Sequence, residues 1–254
     1  MPTLDELLPL LHETADAVAS ALAGLDDWGL AGTRPGQYRS DLAADEAAVE
    51  LLTAAGLGVL SEESGAHQAD RALLAVIDPV DGSTNASRRI PWYATSICVL
   101  DAEGPLAALV RNQATGTNYE AVRGQGATRD GKTIHPSSVK ELRSAVIGMS
   151  GFPGRYLGWS QYRALGAAAL DLCCVADGTF DAYLDCSRGA HGAWDYLGGV
   201  LVCTEAGAVV AETSGRDLIV RGHEDRRGPV AAASPELLDE VISAFQANRG
   251  DVRR

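Results

Sequence analysis

The chain has 254 residues, 46% of them hydrophobic and 22% charged, which is enough apolar material for a substantial core. Its formal net charge of -13 excludes a general nucleic-acid binder, because such binding needs Lys and Arg to displace counterions from phosphates. The cysteines Cys98, Cys173, Cys174, Cys186 and Cys203 are odd in number and hold no CxxC pair, which argues against a disulfide framework and against a structural zinc.

The first predicted element is a helix over residues 4–24, with Leu4, Leu7, Leu8, Leu11, Ala15, Val18 and Leu22 at helical spacing. The acidic opening lacks a basic n-region, and no apolar run reaches the roughly 18 residues that suggest a membrane span. A reducing, cytoplasmic location is therefore the default expectation. Gly32, Pro35 and Gly36 mark a loop, and a second helix is predicted over residues 41–55. Strands are expected at 58–60, 72–77, 90–100, 106–111 and 118–122. Gly124, Gly126 and Gly131 punctuate a hairpin region whose continuation, 127–135, reads as strand. In the second half, a strand at 146–149 precedes an apolar helix over 162–174. A strand at 180–184, a helix at 195–206, strands at 209–211 and 230–233, and a helix at 235–246 follow. Residues 247–254 are polar and expected to fray. Interleaved strands and helices of this kind suit a layered α/β or α+β domain.

The chemistry is concentrated in residues 76–85, Val-Ile-Asp-Pro-Val-Asp-Gly-Ser-Thr-Asn. Asp78 and Asp81 offer hard oxygen ligands suited to magnesium or manganese at the end of an apolar run. Gly82 then turns the chain into a helix start bearing Ser83 and Thr84, an arrangement suited to phosphate. Glu62 and Glu63 follow an earlier strand, Asp45 lies on the second helix, and Asp195 opens a later helix that ends in Thr-Glu-Ala-Gly. Taken singly, each has an ordinary explanation as a solvated face or a helix cap.

Their order is more specific. Glu-Glu, then Asp-Pro-Val-Asp-Gly-Ser-Thr-Asn, then Trp-Asp with Glu-Ala-Gly downstream, resembles the inositol monophosphatase superfamily from about residue 41 to 233. Residues 121–131 and 170–183 fit the same pattern. The resemblance implies an α+β fold, a layered α-β-α-β-α sandwich of the inositol monophosphatase and fructose-1,6-bisphosphatase type. It implies one domain over residues 1–254 in two halves, with a break near 136–150, and a homodimer. It also implies a magnesium-dependent, lithium-sensitive hydrolase using two or three Mg2+ ions, with Mn2+ as an alternative.

By the same resemblance, Glu62, Asp78 and the Val80 carbonyl would hold a first metal, and Asp78, Asp81 and Asp195 a second. A third, looser ion would use Glu62 and water. The Gly82 and Ser83 amides would bind phosphate, beside Thr84. Ser83 and Asp45 would orient the attacking water, with Glu63 behind the metal ligands or assisting proton transfer. The chemistry is coherent in itself: phosphate ester hydrolysis needs an activated water and a stabilised leaving oxygen, roughly in line across phosphorus.

This chain also departs from the family pattern. Ser83 replaces the usual Thr, and the spacer from Glu62 to Asp78 is short. Asp185 stands where many members bind inositol hydroxyls through a Glu. The segment from Asp185 to Asp195 is long and adds Arg188 and His191, somewhat like archaeal members that also hydrolyse fructose 1,6-bisphosphate. Arg188 could clamp a second phosphate or form a routine ion pair. His191 is read as a surface residue ahead of a ligand or general acid. Trp92 and Tyr93 are expected in the core. The segment at 148–151 lacks the setting of a hydrolase elbow, although Ser150 could approach substrate.

The sequence therefore predicts a phosphomonoesterase acting on a small polyol or sugar phosphate, with inositol monophosphate foremost. Fructose 1,6-bisphosphate, histidinol phosphate and adenosine 3',5'-bisphosphate are the alternative substrates. A weakly active regulatory metal-binding protein is the alternative of another class. Neither nucleic acid nor membrane is expected as a partner.

Overall fold

The computed structural model describes residues 2–187 and 189–251. Helices α1 (Leu4–Ala23) and α2 (Arg39–Ala54) pack on one face of an eight-stranded sheet. That sheet is built from β1 (Gly58–Ser61), β2 (Gly65–His67), β3 (Leu74–Asp81), β4 (Ala94–Asp101), β5 (Gly104–Asn112), β6 (Asn118–Val122), β7 (Gly126–Arg129) and β8 (Lys132–Thr133). Its strand order is β2-β1-β3-β4-β5-β6-β7-β8. The short helix α3 (Ser83–Ser87) follows β3 directly.

A second sheet contains β9 (Val146–Ser150), β10 (Gln161–Arg163), β11 (Ala182–Asp185), β12 (Val209–Glu212) and β13 (Pro229–Ala232), in the order β10-β9-β11-β13-β12. Helices α4 (Ala168–Ala176) and α5 (Ala193–Ala206) lie between the sheets and contact both. Helix α6 (Pro235–Asp251) covers the outer face of the second sheet. The layers thus run α-β-α-β-α, as the resemblance implies. Among the described residues, no helix is long and apolar enough to cross a membrane.

The central layer explains the composition of its helices. Every residue of α4 is buried, and so is most of α5, because each meets a sheet on either side. By contrast α1 buries only a stripe, Leu7, Leu11, Thr14, Ala15, Val18 and Leu22, against the first sheet and α2. All eight residues of β3 are buried, which accounts for its unbroken apolar run. It pairs in parallel with β1 and antiparallel with β4. All five cysteines are free and buried.

Several boundaries differ from the sequence expectation. The predicted helix over 162–174 is instead strand β10 followed by an extended link, and α4 begins only at Ala168. Gly166 stands at φ 87° inside the segment, and from outside it Nδ2 of Asn85 donates to the Leu165 carbonyl at 2.7 Å and to the Trp92 carbonyl at 2.7 Å, tying both to α3. The same bond to Trp92 delays β4 to Ala94. Residues predicted as one strand from 127 form a hairpin, with Asp130 and Gly131 both at positive φ in its turn. Helix α6 runs on through Asp251, where fraying is predicted; residues 252–254 of that tail lie outside the described residues.

Candidate metal and phosphate centre

Asp78 and Asp81 owe their common direction to an irregularity. Alternate residues of a strand face opposite ways, so two acids three apart should not converge. Between Asp78 and Asp81 the pairing of β3 with β4 shifts register, the mark of a bulge. Pro79 sits in that bulge, where its missing N–H costs no ladder bond. Oδ1 of Asp78 accepts from the Val80 amide at 2.9 Å, and Oδ2 of Asp81 accepts from the Ala169 amide at the start of α4 at 2.8 Å. Asp195 arrives from α5, where Oδ2 accepts from the Gly192 amide at 2.6 Å. Carboxylate oxygens of Asp78, Asp81 and Asp195 lie within 4.8 Å of one another.

Glu62, directly after β1, stands beside this trio. Its amide donates to the Ile77 carbonyl at 3.2 Å. Burial first, then the charges of Asp195 and Glu63, push its carboxyl above the usual range. Asp78 and Asp81 are raised in the same way, by burial and then by Glu62 and Asp195 respectively. Burial also raises Asp195, against the pull of His191. The donors are all oxygen, buried or half-buried, and mutually repelling, which is the chemistry that suits a hard divalent cation.

Gly82 follows with φ of 87°. A Cβ there would stand 3.0 Å from the carbonyl oxygens of Gly166 and Trp92, so conformation and space both demand glycine. Ser83 lines a cavity of about 250 Å3 with Glu62, Glu63, Arg34, His223 and Arg226. Thr84 is exposed, and its Oγ1 lies 3.3 Å from the Tyr38 hydroxyl. Val80 buries its side chain in the core.

Asp45 is buried on α2 and accepts a short hydrogen bond from Ser61 Oγ, which itself accepts from the Glu63 amide at 3.1 Å. The Glu63 carboxylate is taken up by Arg34 and Gln37, so it fastens the loop between α1 and α2 to the site. Asp185, the last residue of β11, turns toward its own loop. Its Oδ1 accepts from the Ser187 amide at 2.7 Å, and Oδ2 lies 3.2 Å from Nδ1 of His191, off the line of a hydrogen bond. Burial works to raise Asp185, but His191 and Ser187 hold it below the usual range. Arg188 lies outside the described residues.

His191 is a correction to the sequence reading. Its side chain is only 11% exposed, against the surface position expected. Burial works to lower its pKa, but the Asp185 carboxylate and the charges of Asp195 and Asp81 raise it to about 9. Trp92 is half-buried rather than core, and its Nε1 donates to Oδ1 of Asp171 at 2.9 Å. Oδ2 of Asp171 is buried without a partner, and burial pushes that carboxyl well up. Ser150 accepts from the Tyr183 hydroxyl at 2.8 Å. Glu205 closes the glycine hairpin by accepting from the amides of Gly124 and Gly126 at 3.0 and 2.9 Å.

Arg34, His223 and Arg226 were not singled out by sequence reasoning. They lie far from the acidic motifs along the chain, and no spacing rule links them. The excess of acids in the composition is the one indirect signal, since a basic residue beside an acidic site stands out against it.

The model of the inositol monophosphatase family matches residues 39–249. The chain is 33% identical over 252 residues to the fructose-1,6-bisphosphatase/inositol-1-monophosphatase of Archaeoglobus fulgidus, covering 95% of this chain and 98% of that protein. It is 28% identical to the Nus factor SuhB of Salmonella typhimurium, covering 94% and 89%. In structure it is similar to an inositol monophosphatase from Anabaena, with a TM-score of 0.80 and 25% identity over 96% of each chain.

Proposed function

The chain belongs to the inositol monophosphatase family of phosphatases, and from that premise we propose that it hydrolyses a small polyol or sugar phosphate with magnesium, inositol monophosphate foremost. The observation that carries this reading is the convergence of Asp78, Asp81 and Asp195 within 4.8 Å, with Glu62 beside them and all four carboxyls raised. Four acids that repel one another, two of them buried and two half-buried, fit divalent cations.

Glu62, Asp78, the Val80 carbonyl, Asp81 and Asp195 are the residues that hold them, as two or three Mg2+, with Mn2+ also suited. Such cations supply Lewis acidity, which lowers the pKa of a water and offsets charge on the leaving oxygen. The protein's own groups do the rest. The Gly82 and Ser83 amides bind the phosphate, and Thr84 borders it. Asp45, fixed by Ser61, and the Ser83 hydroxyl orient the attacking water. Glu63 keeps the loop of Arg34 and Gln37 against the site and excludes bulk water.

A screen of phosphate release with magnesium tests the reading. The substrates are inositol 1-phosphate, fructose 1,6-bisphosphate, histidinol phosphate and adenosine 3',5'-bisphosphate. No release from any of them would sink it.

The name of the archaeal relative favours a second reading, in which fructose 1,6-bisphosphate is a substrate as well. Asp185→Ala should raise KM more than Arg188→Ala on inositol phosphate, and less on the bisphosphate, because an Arg binds a second phosphate bidentately. A regulatory protein without turnover is disfavoured, since it has no use for a complete set of repelling acids. The proposal also covers a homodimer, a cytoplasmic setting and inhibition by lithium at roughly millimolar levels, the range of weak ion sites. Phosphate release indifferent to lithium at low magnesium would tell against that last point.

A further inference from the structure

The cavity beside Glu62 is lined by three basic residues, and they are not equivalent. Arg34 is spent on Glu63. His223 stacks on the Trp194 indole with ring centroids 4.8 Å apart, and its Nε2 lies 3.1 Å from the Glu62 carbonyl oxygen. Arg226 rests on the same indole but is joined to no carboxylate side chain among the described residues. Among the described residues, no carboxylate lies within ion-pair distance of it, although the chain carries a net charge of -13. Its charge acts on Asp195 without a direct ion pair, which leaves guanidinium donors able to take an anion in the cavity.

Arg226 is also held in one geometry. Its guanidinium carbon lies 5.1 Å from the centre of a Trp194 ring. Its Nη1 donates to the carbonyls of His223 and Asp225 at 2.6 and 2.9 Å. Among the described residues nothing accepts from its Nε or Nη2. The loop that carries it is anchored directly after it. Arg227 bridges to His191 through an amide bond of 3.0 Å, and the Gly228 amide donates to Glu212 at 3.1 Å. Trp194 precedes Asp195, so the platform under Arg226 and a carboxylate of the acidic trio share one helix start.

We propose that Arg226 is a further catalytic residue, whose guanidinium binds an oxygen of the phosphoryl group held at Gly82 and Ser83. His223 is its positioning partner, fixing Trp194 and Glu62 beneath it. This rests on the phosphatase reading above. The charge arithmetic leaves room for it: two divalent ions only balance Glu62, Asp78, Asp81 and Asp195, so the phosphate charge falls to a third ion, to Arg226, or to both. Hydrolysis spreads that charge over the equatorial oxygens, where a fixed cation acts with no reorganisation.

The test uses inorganic phosphate, titrated calorimetrically into the magnesium-loaded protein, alongside kcat and KM on whichever ester the screen identifies. Arg226→Gln should weaken phosphate binding about 10- to 100-fold, the span of a charge-assisted hydrogen bond. It should lower kcat as well as raise KM. Arg226→Lys, which keeps the charge without the fork, should fall between that variant and the natural protein. If Arg226→Gln does not fold, the Lys variant decides alone, and undiminished phosphate affinity there overturns the proposal. Phosphate release with unchanged phosphate affinity in Arg226→Gln overturns it too. So does a loss confined to KM for a bisphosphate, which would place Arg226 on the far end of the substrate. If the natural protein neither releases nor binds phosphate, the phosphatase reading itself falls, and the role of Arg226 falls with it.

Discussion

Glu212 and Asp81 are both buried carboxylates, and each is the last residue of its strand, yet the chain surrounds them in opposite ways. Glu212 accepts from the amides of Ser214, Arg216 and Gly228 at 2.6, 3.2 and 3.1 Å, and from the Arg216 side chain at 2.6 Å. Burial alone would raise it, but these donors bring its pKa down to about 2. Asp81 accepts an amide hydrogen bond from Ala169 and faces Asp78 and Asp195, and burial and like charge push it up against the pull of the amides at the start of α4. A buried acid supplied with donors holds a turn together. A buried acid supplied with other acids has the chemistry that suits a cation.

The largest expected effect comes from removing one charge at the acidic end. Asp81→Asn keeps the shape of the side chain and should cut kcat by about two orders of magnitude or more, through loss of a cation ligand. Phosphate release like that of the natural protein at saturating magnesium would rule out the assigned role. Because it relieves repulsion, the same change should not lower the unfolding temperature measured in chelator. A marked drop there would put Asp81 in the same category as Glu212.

The matching change at the other end should act on stability. Glu212→Gln leaves the Arg216 guanidinium and the surrounding amides poorly matched, at a cost of about 1–3 kcal/mol. Arg216 is half exposed, so solvent takes up part of that loss and the lower end of the range is expected. Urea unfolding measures it. The activity of the folded fraction should fall far less than in Asp81→Asn, and an equal fall would erase the distinction.

A smaller effect sharpens the contrast through pH. The acids of the trio and Glu62 titrate higher folded than unfolded, so their contribution is fully present below the unfolded pKa and is lost as pH rises toward neutrality. In chelator, the unfolding temperature should therefore decline between about pH 5 and pH 8, and magnesium should remove most of the decline. Glu212 has the opposite sign. Its folded pKa lies below its unfolded value, so its contribution holds above pH 4.5 and is lost as pH falls through about 2. Thermal scans with and without magnesium separate the two. A flat profile in chelator would mean that the acids do not strain the metal-free fold.

Much of the fold was legible locally. The apolar run before Asp78 announces a strand buried on both faces, and Gly82 with the hydroxyls after it announces the turn into α3. The spacing of leucines in α1 and the buried face of α5 were equally plain. Failures came where a distant group decided a local outcome. Asn85 holds Leu165 and so shifts the start of α4, and the one local signal is Gly166, which stands at positive φ. The sequence places His191 at the surface, because a loop histidine shows no partner until β11 brings Asp185 to 3.2 Å.

The acids that converge at the centre and the order of motifs that marks the family lie in the sequence, because residue type and spacing are properties of the chain itself. So do the periodicities that make strands and helices, since each depends on neighbours a few residues away. Which acids carry their own donors, which basic residue of the cavity makes no ion pair among the described residues, and which histidine is enclosed were decided only by the tertiary structure. Burial, dielectric and ion pairing are set by groups that meet across two sheets and the helices between them, and a carboxylate such as Glu212 or Asp81 acquires its character from that company.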